Sequence, residues 1–273
     1  MASFLRRAGT QLIQWLVSTA SPSTDATSVQ IYAKTVAGIA QLLMKAGDGI
    51  EQQLTPSVSV ARAMAYWCED FIASGGVQAV TSTGTTNNNQ VLTKHPGISG
   101  IAVTTVGSGA GIYASSTGAQ TTLIVGGGLV VFEGCALTVL AQDAGQQWSD
   151  RFGMGDLASA TADQDNGIYF ESDRATYGDN DYRLCCAAAG VRTKTTTGTA
   201  PAVATFERWR WVMNVGATSV SAFLNDAAIG SAVTAHIPTV GLIPFFRQSV
   251  KTLGTSSRTV QSDYYEVYQV LAR

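Results

Sequence analysis

The chain has 273 residues, enough for one large all-β domain with attachments or for two small domains. Charged residues make up only 13%, against about 25% in ordinary soluble proteins, and 17 basic against 19 acidic side chains leave a formal charge of −2. That balance excludes a basic groove for nucleic acid. Low charge with abundant Gly, Thr, Ser and Ala points to strands packed into fibres or shells rather than to a metabolic enzyme with a helical outer layer.

Met1 to Ala20 imitates a signal peptide, but Gln11 and Gln14 interrupt its apolar stretch and Pro22 follows it. Read at helical spacing, Leu5, Ala8, Leu12, Trp15 and Leu16 form one apolar stripe, with Arg6, Arg7, Gln11 and Gln14 elsewhere. An isolated amphipathic helix of this length is marginal in water, so the stripe is expected to pack on copies of itself or on a particle surface. Residues 21–28 read as a Ser/Thr/Pro/Asp linker, and no segment reaches the roughly 18 apolar residues of a membrane span. The first division is therefore an attachment helix and linker over residues 1–28, with no membrane partner.

From Val29 to Leu54 the pattern gives three short strands, with turns at Ala37-Gly38 and Gly47-Asp48-Gly49. So small a module cannot bury a core alone, which again implies association. Its letters, Ile31-Tyr32, Lys34, Gly38, Leu42-Leu43-Met44, Gly49 and Gln53-Leu54-Thr55, resemble a hairpin unit that recurs near the attachment ends of phage fibre and tail proteins. Leu5, Leu12, Trp15, Leu16, Ile31, Tyr32, Leu42 and Leu43 are thus the candidate attachment and oligomer interface, and residues 29–56 form a hairpin module.

Residues 57–273 read as one β-domain. Val58 to Trp67 and Phe71 to Val80 are its first strands, although Ala61 to Glu69 also fits a short helix; Gly84 to Asn89 is expected as a polar loop. Leu129 to Leu140 alternates as a long strand, and Asp181 to Ala189 continues the series. Trp209, Trp211, Met213 and Val215 alternate with polar partners, and after a turn Val220, Ala222 and Leu224 alternate again, as in a half-buried antiparallel pair. Cys185 and Cys186 are adjacent on one strand and face opposite ways; with Cys68 and Cys135 they show no CxxC spacing and read as reduced thiols, suiting assembly in a reducing cytoplasm.

Three signatures in order resemble the concanavalin A-like jelly-roll domain of bacteriophage virion proteins: Arg151-x-Gly153-x-Gly155-Asp156, then Asn166-Gly167-Ile168-Tyr169-Phe170-Glu171, then the Trp209 strand. Asn225-Asp226-Ala227, His236-Ile237-Pro238-Thr239, the Pro-containing Leu242 to Phe246 and the Asp263-Tyr264 approach to a last strand extend the likeness across Val131 to Val267. The resemblance implies an all-β jelly-roll β-sandwich preceded by an N-terminal helix and a small hairpin. The implied role is that of a capsid-decorating protein or a head or tail fibre, a homotrimer with other virion proteins as partners, assembled in the host cytoplasm.

Chemistry is sparsely supported. Glycan-cleaving sandwiches use Glu-x-Asp-x-(x)-Glu on one strand, with acid and nucleophile about 5 to 6 Å apart. Glu171-Ser172-Asp173 has the first two, but no third Glu follows, and Asp173-Arg174 reads as a surface ion pair beside a turn. His95 and His236 have no partner at motif spacing; Asp163, Asp165 and Asn166 lack the Gly and distal Glu of a calcium loop. No catalytic residue, metal or cofactor is expected. Trp209 and Trp211 read as core, and Trp148, beside a Gln-rich turn, is the candidate contact for a host surface glycan, the alternative reading being a lectin-like receptor binder.

Overall fold

A computed structural model describes residues 17–18, 30–36, 39–45, 51–55, 64–69, 77–81, 85–92, 95–114, 123–126, 128–138 and 140–271. The chain divides into two compact units, Met1–Met64 and Ala65–Arg273.

In the first unit, β1 (Val17–Ser18), β2 (Gln30–Val36), β3 (Ile39–Lys45) and β4 (Glu51–Thr55) form a sheet in that order. The three expected strands are β2 to β4, joined antiparallel, with Tyr32 opposite Leu43 and Ala33 opposite Leu42. Val17 and Ser18 correct the helical reading at their positions: they are extended and pair in parallel with Ala33 and Lys34. Leu5, Leu12, Trp15 and Leu16 lie outside the described residues.

The second unit continues with β5 (Met64–Glu69), β6 (Val77–Thr81), β7 (Thr85–Leu92), β8 (His95–Val103), β9 (Gly109–Ala114), β10 (Leu123–Ile124), β11 (Gly128–Thr138), β12 (Gln147–Gly155) and β13 (Gly167–Asp173). After the one-turn helix α1 (Arg174–Tyr177) come β14 (Arg183–Ala188), β15 (Val191–Thr196), β16 (Glu207–Met213), β17 (Val220–Leu224), β18 (Ala227–Val233), β19 (Gly241–Leu253) and β20 (Arg258–Leu271). One sheet runs β15-β14-β13-β12-β19-β9-β6 with β10 beside β19; the other runs β18-β17-β16-β11-β20-β8-β7 with β5 beside β20. These are the two antiparallel layers of a sandwich. Met64–Glu69 is a strand, not the alternative helix. Residues 85–92 correct the loop reading: Thr85, Thr86, Asn87 and Gln90 pair with β8. A polar strand is tolerated there because β7 ends its sheet, where only one side needs a ladder.

The core follows from two-residue alternation. Trp209, Trp211 and Met213 on β16 point inward, while Arg208, Arg210 and Val212 face out. From the facing sheet Phe152, Phe170 and Tyr182 meet Trp209 with ring centroids 4.7 to 6.4 Å apart, mostly edge to face. Phe132 stacks on Trp211 at 5.7 Å and Phe245 on Tyr265 at 4.2 Å. Pro244 interrupts the donors of β19 where its ladder with β12 shifts register, between Gly153 and Gly155. The β17–β18 hairpin closes through Asn225 and Asp226, at φ 47° and 71°, the two positive values that a tight primed turn requires.

Candidate functional site

The alternation that sends Phe152 and Phe170 into the core sends Arg151, Gly153, Gly155, Tyr169 and Glu171 to the other face of the same sheet. There the β12–β13 connection, residues 156–166, lies across the strands as a strap. Gln248 on β19 donates its amide to the Ser159 and Ala162 carbonyls, both at 3.0 Å. Gln164 closes a two-way amide clasp with Leu157, and Asp156 accepts from Asp165 N and Asn166 Nδ2. The strap sits so close that a Cβ at Gly109 would come 2.1 Å from the Ala160 carbonyl oxygen. Gly153, at φ 149°, lies under Tyr169, whose Cα would meet a Cβ at 2.6 Å.

Arg151 is the hub. Its Nε donates to Glu171 Oε2 at 2.6 Å, Nη1 to Gln248 Oε1 at 2.9 Å, and Nη2 pairs with Asp163 Oδ1 at 2.5 Å. Asp163 Oδ2 takes Arg192 at 2.5 Å, and Glu171 Oε1 accepts from Lys194 Nζ and Tyr177 O–H, both at 2.6 Å. Arg183 lies 3.6 Å above the Tyr177 ring and grips Asp179 through two nitrogens at 2.9 Å. Burial would raise the Glu171 carboxyl, but Arg151 and Lys194, with hydrogen bonds from Lys194 and Tyr177, hold it at about 2. Burial first, then the hydrogen bond to Glu171, pushes the Tyr177 phenol up.

Both oxygens of Glu171 are engaged, its side chain is 1% exposed, and its partners are two cations and a phenol. Asp173, on the same strand face, is not the surface ion pair its sequence suggested: its Oδ1 caps α1 by accepting from Thr176 N at 3.0 Å, while Arg174 turns to Asn180. Asp163 and Asn166 are likewise committed to Arg151, Arg192, Asp156 and the Ala189 amide. Among the described residues no group of three or more His, Cys, Asp or Glu could hold a metal ion. His236 meets Thr193 Oγ1 at 2.7 Å.

Trp148 corrects the glycan expectation. The register of β12 turns residues 148, 150, 152 and 154 inward, and Trp148 is 0% exposed beneath the Arg258 guanidinium, so no ring face is open to a sugar. Ile31, Tyr32, Leu42 and Leu43 fall on β2 and β3 in the first unit. Cys186 joins the main core and Cys185 a small cluster with Tyr169, Ala187 and Phe246 on the opposite face, as adjacency on one strand dictates. Burial pushes Cys186 up to about 12.

The second sheet carries a more open polar and aromatic surface. Tyr264 donates to Glu133 at 2.6 Å, Arg208 and Arg210 pair with Asp226, and Arg210 covers the Phe223 ring at 4.7 Å. Arg208 is 44% and Asp226 56% exposed in their side chains. Sequence reading missed both clusters because each joins residues far apart in the chain. The clue it held was Arg151 and Glu171 in the two signatures, which the β12–β13 register sets opposite each other on one sheet face.

No protein-family model and no curated protein matches the chain. Among solved structures, a protein of unknown function from Shewanella oneidensis MR-1 is similar at TM-score 0.53 and 13% identity, over 81% of this chain and 92% of that one. The carbohydrate recognition domain of Emp47p is similar at TM-score 0.52 and 7% identity, over 80% and 100%. An endo-1,3-beta-glucanase from Streptomyces sioyaensis gives TM-score 0.49 at 12% identity, over 80% and 99%. The likeness to the first two is one of fold: a lectin-like sandwich of two antiparallel sheets.

Proposed function

We propose that the chain is a structural protein of a bacteriophage virion, a capsid-decorating protein or a head or tail fibre. It is held to the particle through its N-terminal region and displays the lectin-like sandwich outward. The observation that carries this reading is the modular order: a separate four-stranded sheet where the sequence resembles a phage attachment hairpin, followed by a sandwich whose β12 and β13 bear the two phage-domain signatures. The sandwich works by binding and multivalent display rather than by turnover, a reading supported by the burial of Glu171 among Arg151, Lys194 and Tyr177. Assembly takes place in the host cytoplasm, as a trimer. Antibodies to the 65–273 unit are expected to label purified particles in electron microscopy, and removal of residues 1–28 to abolish that label. A chain recovered only free in the lysate overturns the proposal.

A second reading, glycan recognition by the displayed sandwich, is favoured by the open surface on the second sheet. Tyr264 and Phe223 supply rings, and Arg208, Arg210 and Asp226 supply donors and acceptors. A glycan array with the full chain is expected to give a signal that Tyr264→Ala weakens. Silence across all sugars removes this reading and leaves the display role standing.

A further inference from the structure

One end of the sandwich interior is ionic. Arg258 on β20 reaches across to Asp150 on β12, with Nη2 to Oδ2 at 2.8 Å and both side chains 1% exposed. Ser249 donates to the other oxygen of Asp150 at 2.5 Å. On β19, Arg247 is 1% exposed, stands 5.1 Å over the Phe152 ring and offers Nη1 to Ser262 Oγ at 3.5 Å. Burial, together with the like charge of Arg258, acts to push Arg247 down, against Tyr182 and Asp150. Two guanidinium groups thus lie near one carboxylate, which Arg258 alone contacts. Nε and Nη1 of Arg258 are buried without a hydrogen-bond partner. Buried polar atoms are rarely left so, and charged donors least of all.

Arg258 also forms one wall of a cavity of about 20 Å³, enough for one small occupant. Its polar walls lock one another in place: Gln142 Nε2 donates to Ser172 Oγ at 3.0 Å, Ser172 Oγ to the Asn180 carbonyl at 3.1 Å, and Asn180 Nδ2 to the Gln142 carbonyl at 2.8 Å. Those three side chains hold one another, Thr138 completes the polar lining, and the charged donor at the cavity is Arg258. Ala141 and Ala200, both exposed, stand at its rim and give an occupant a way in.

We propose that this cavity is a binding site for a small monovalent anion of chloride size, anchored by Arg258. A water molecule would accept from the free nitrogens but leave uncompensated the surplus positive charge of the Arg247, Arg258 and Asp150 group, of which Arg258 alone lines the cavity; a halide does both. The occupant ties the loops lining the cavity to β20 and stabilises the end of the sandwich where the two sheets meet through Arg258 and Asp150.

The test uses the full chain with bromide and chloride as probes. Crystals soaked in sodium bromide are expected to show an anomalous peak within hydrogen-bonding distance of Arg258 Nη1 or Nε. The thermal midpoint should rise by about 5 °C in chloride over gluconate at equal ionic strength, once chloride is roughly a hundredfold above its Kd, and Arg258→Met should lose that difference. Equal midpoints in the two salts, or density at the cavity without an anomalous signal, overturn the proposal in favour of water. Should Arg258→Met fail to fold, the bromide map of the unaltered chain decides.

Discussion

Two clusters of arginine and carboxylate, one on the outward face of each sheet, are made of the same parts in different surroundings. Arg151, Glu171, Asp163 and Lys194 lie beneath the strap of residues 156–166, with the Arg151 and Glu171 side chains 8% and 1% exposed. Arg208, Arg210 and Asp226 stand in the open on the other sheet. Removing a pair from water raises both the cost of bringing the charges in and the attraction between them, so breaking it strands an ion. In the open cluster solvent and salt screen the attraction, and a lost partner is replaced by water. The buried cluster is therefore a clasp that holds the strap to the sheet, whereas the open one is a surface free to meet something else.

The strongest way to break this contrast is Arg151→Met. It leaves Glu171 with Lys194 and Tyr177 but without its more buried cation, and frees Asp163 and Gln248 from their shared partner. Unfolding of the full chain in urea is expected to report a loss of about 3–5 kcal/mol. The double variant Arg151→Met/Glu171→Leu should recover part of that loss, because no buried charge is then left unpaired. A single variant within about 1 kcal/mol of the parent would mean that water reaches the clasp, and that the two clusters do not differ in kind.

Acid sharpens the comparison. Glu171 has its folded value lowered to about 2 from an ordinary 4.5, so its stabilisation is fully present above pH 4.5 and is lost as pH falls from there towards 2. The full effect is on the order of 3 kcal/mol. Stability measured across that window should fall steeply in the parent and more gently in Glu171→Gln, which has no proton to take up. Parallel curves for the two proteins would remove Glu171 as the cause.

How much of this was legible in the sequence depends on whether a residue's role is fixed by its neighbours in the chain. The strict alternation of Trp209, Trp211 and Met213 specified their burial without further information, and the Asn225-Asp226 pair marked a tight hairpin. Trp148 was misread because the polar glutamines before it suggested a turn at the surface; Gln147 instead opens a strand whose register carries the indole inward. Arg247 and Arg258 could not be placed at all, since a charged residue in a strand is ordinarily read as facing solvent, and only the opposing sheet shows that both face in. The signature Arg151-x-Gly153-x-Gly155-Asp156 was visible, but its task was not: it fastens a strap, and every residue it fastens comes from elsewhere in the chain.

The smallest effect is expected at Asp226, the second residue of the β17–β18 turn. At φ 71° a glycine is relieved of the strain a side chain suffers in the left-handed region, so Asp226→Gly gains from the backbone. It also loses its direct ion pairs with Arg208 and Arg210, which solvent screens. The two effects oppose each other and should nearly cancel at low salt. Raising sodium gluconate to about 1 M shortens the screening length to about 3 Å, removes most of what the parent gains from its ion pairs, and leaves the backbone gain intact. The thermal midpoint of Asp226→Gly relative to the parent should therefore move upward with salt, while that of Arg151→Met stays low. Gluconate keeps this measurement separate from any effect of chloride at Arg258. If Asp226→Gly lags by the same margin at every salt concentration, the open cluster is as shielded as the buried one and the distinction between the two sheets fails.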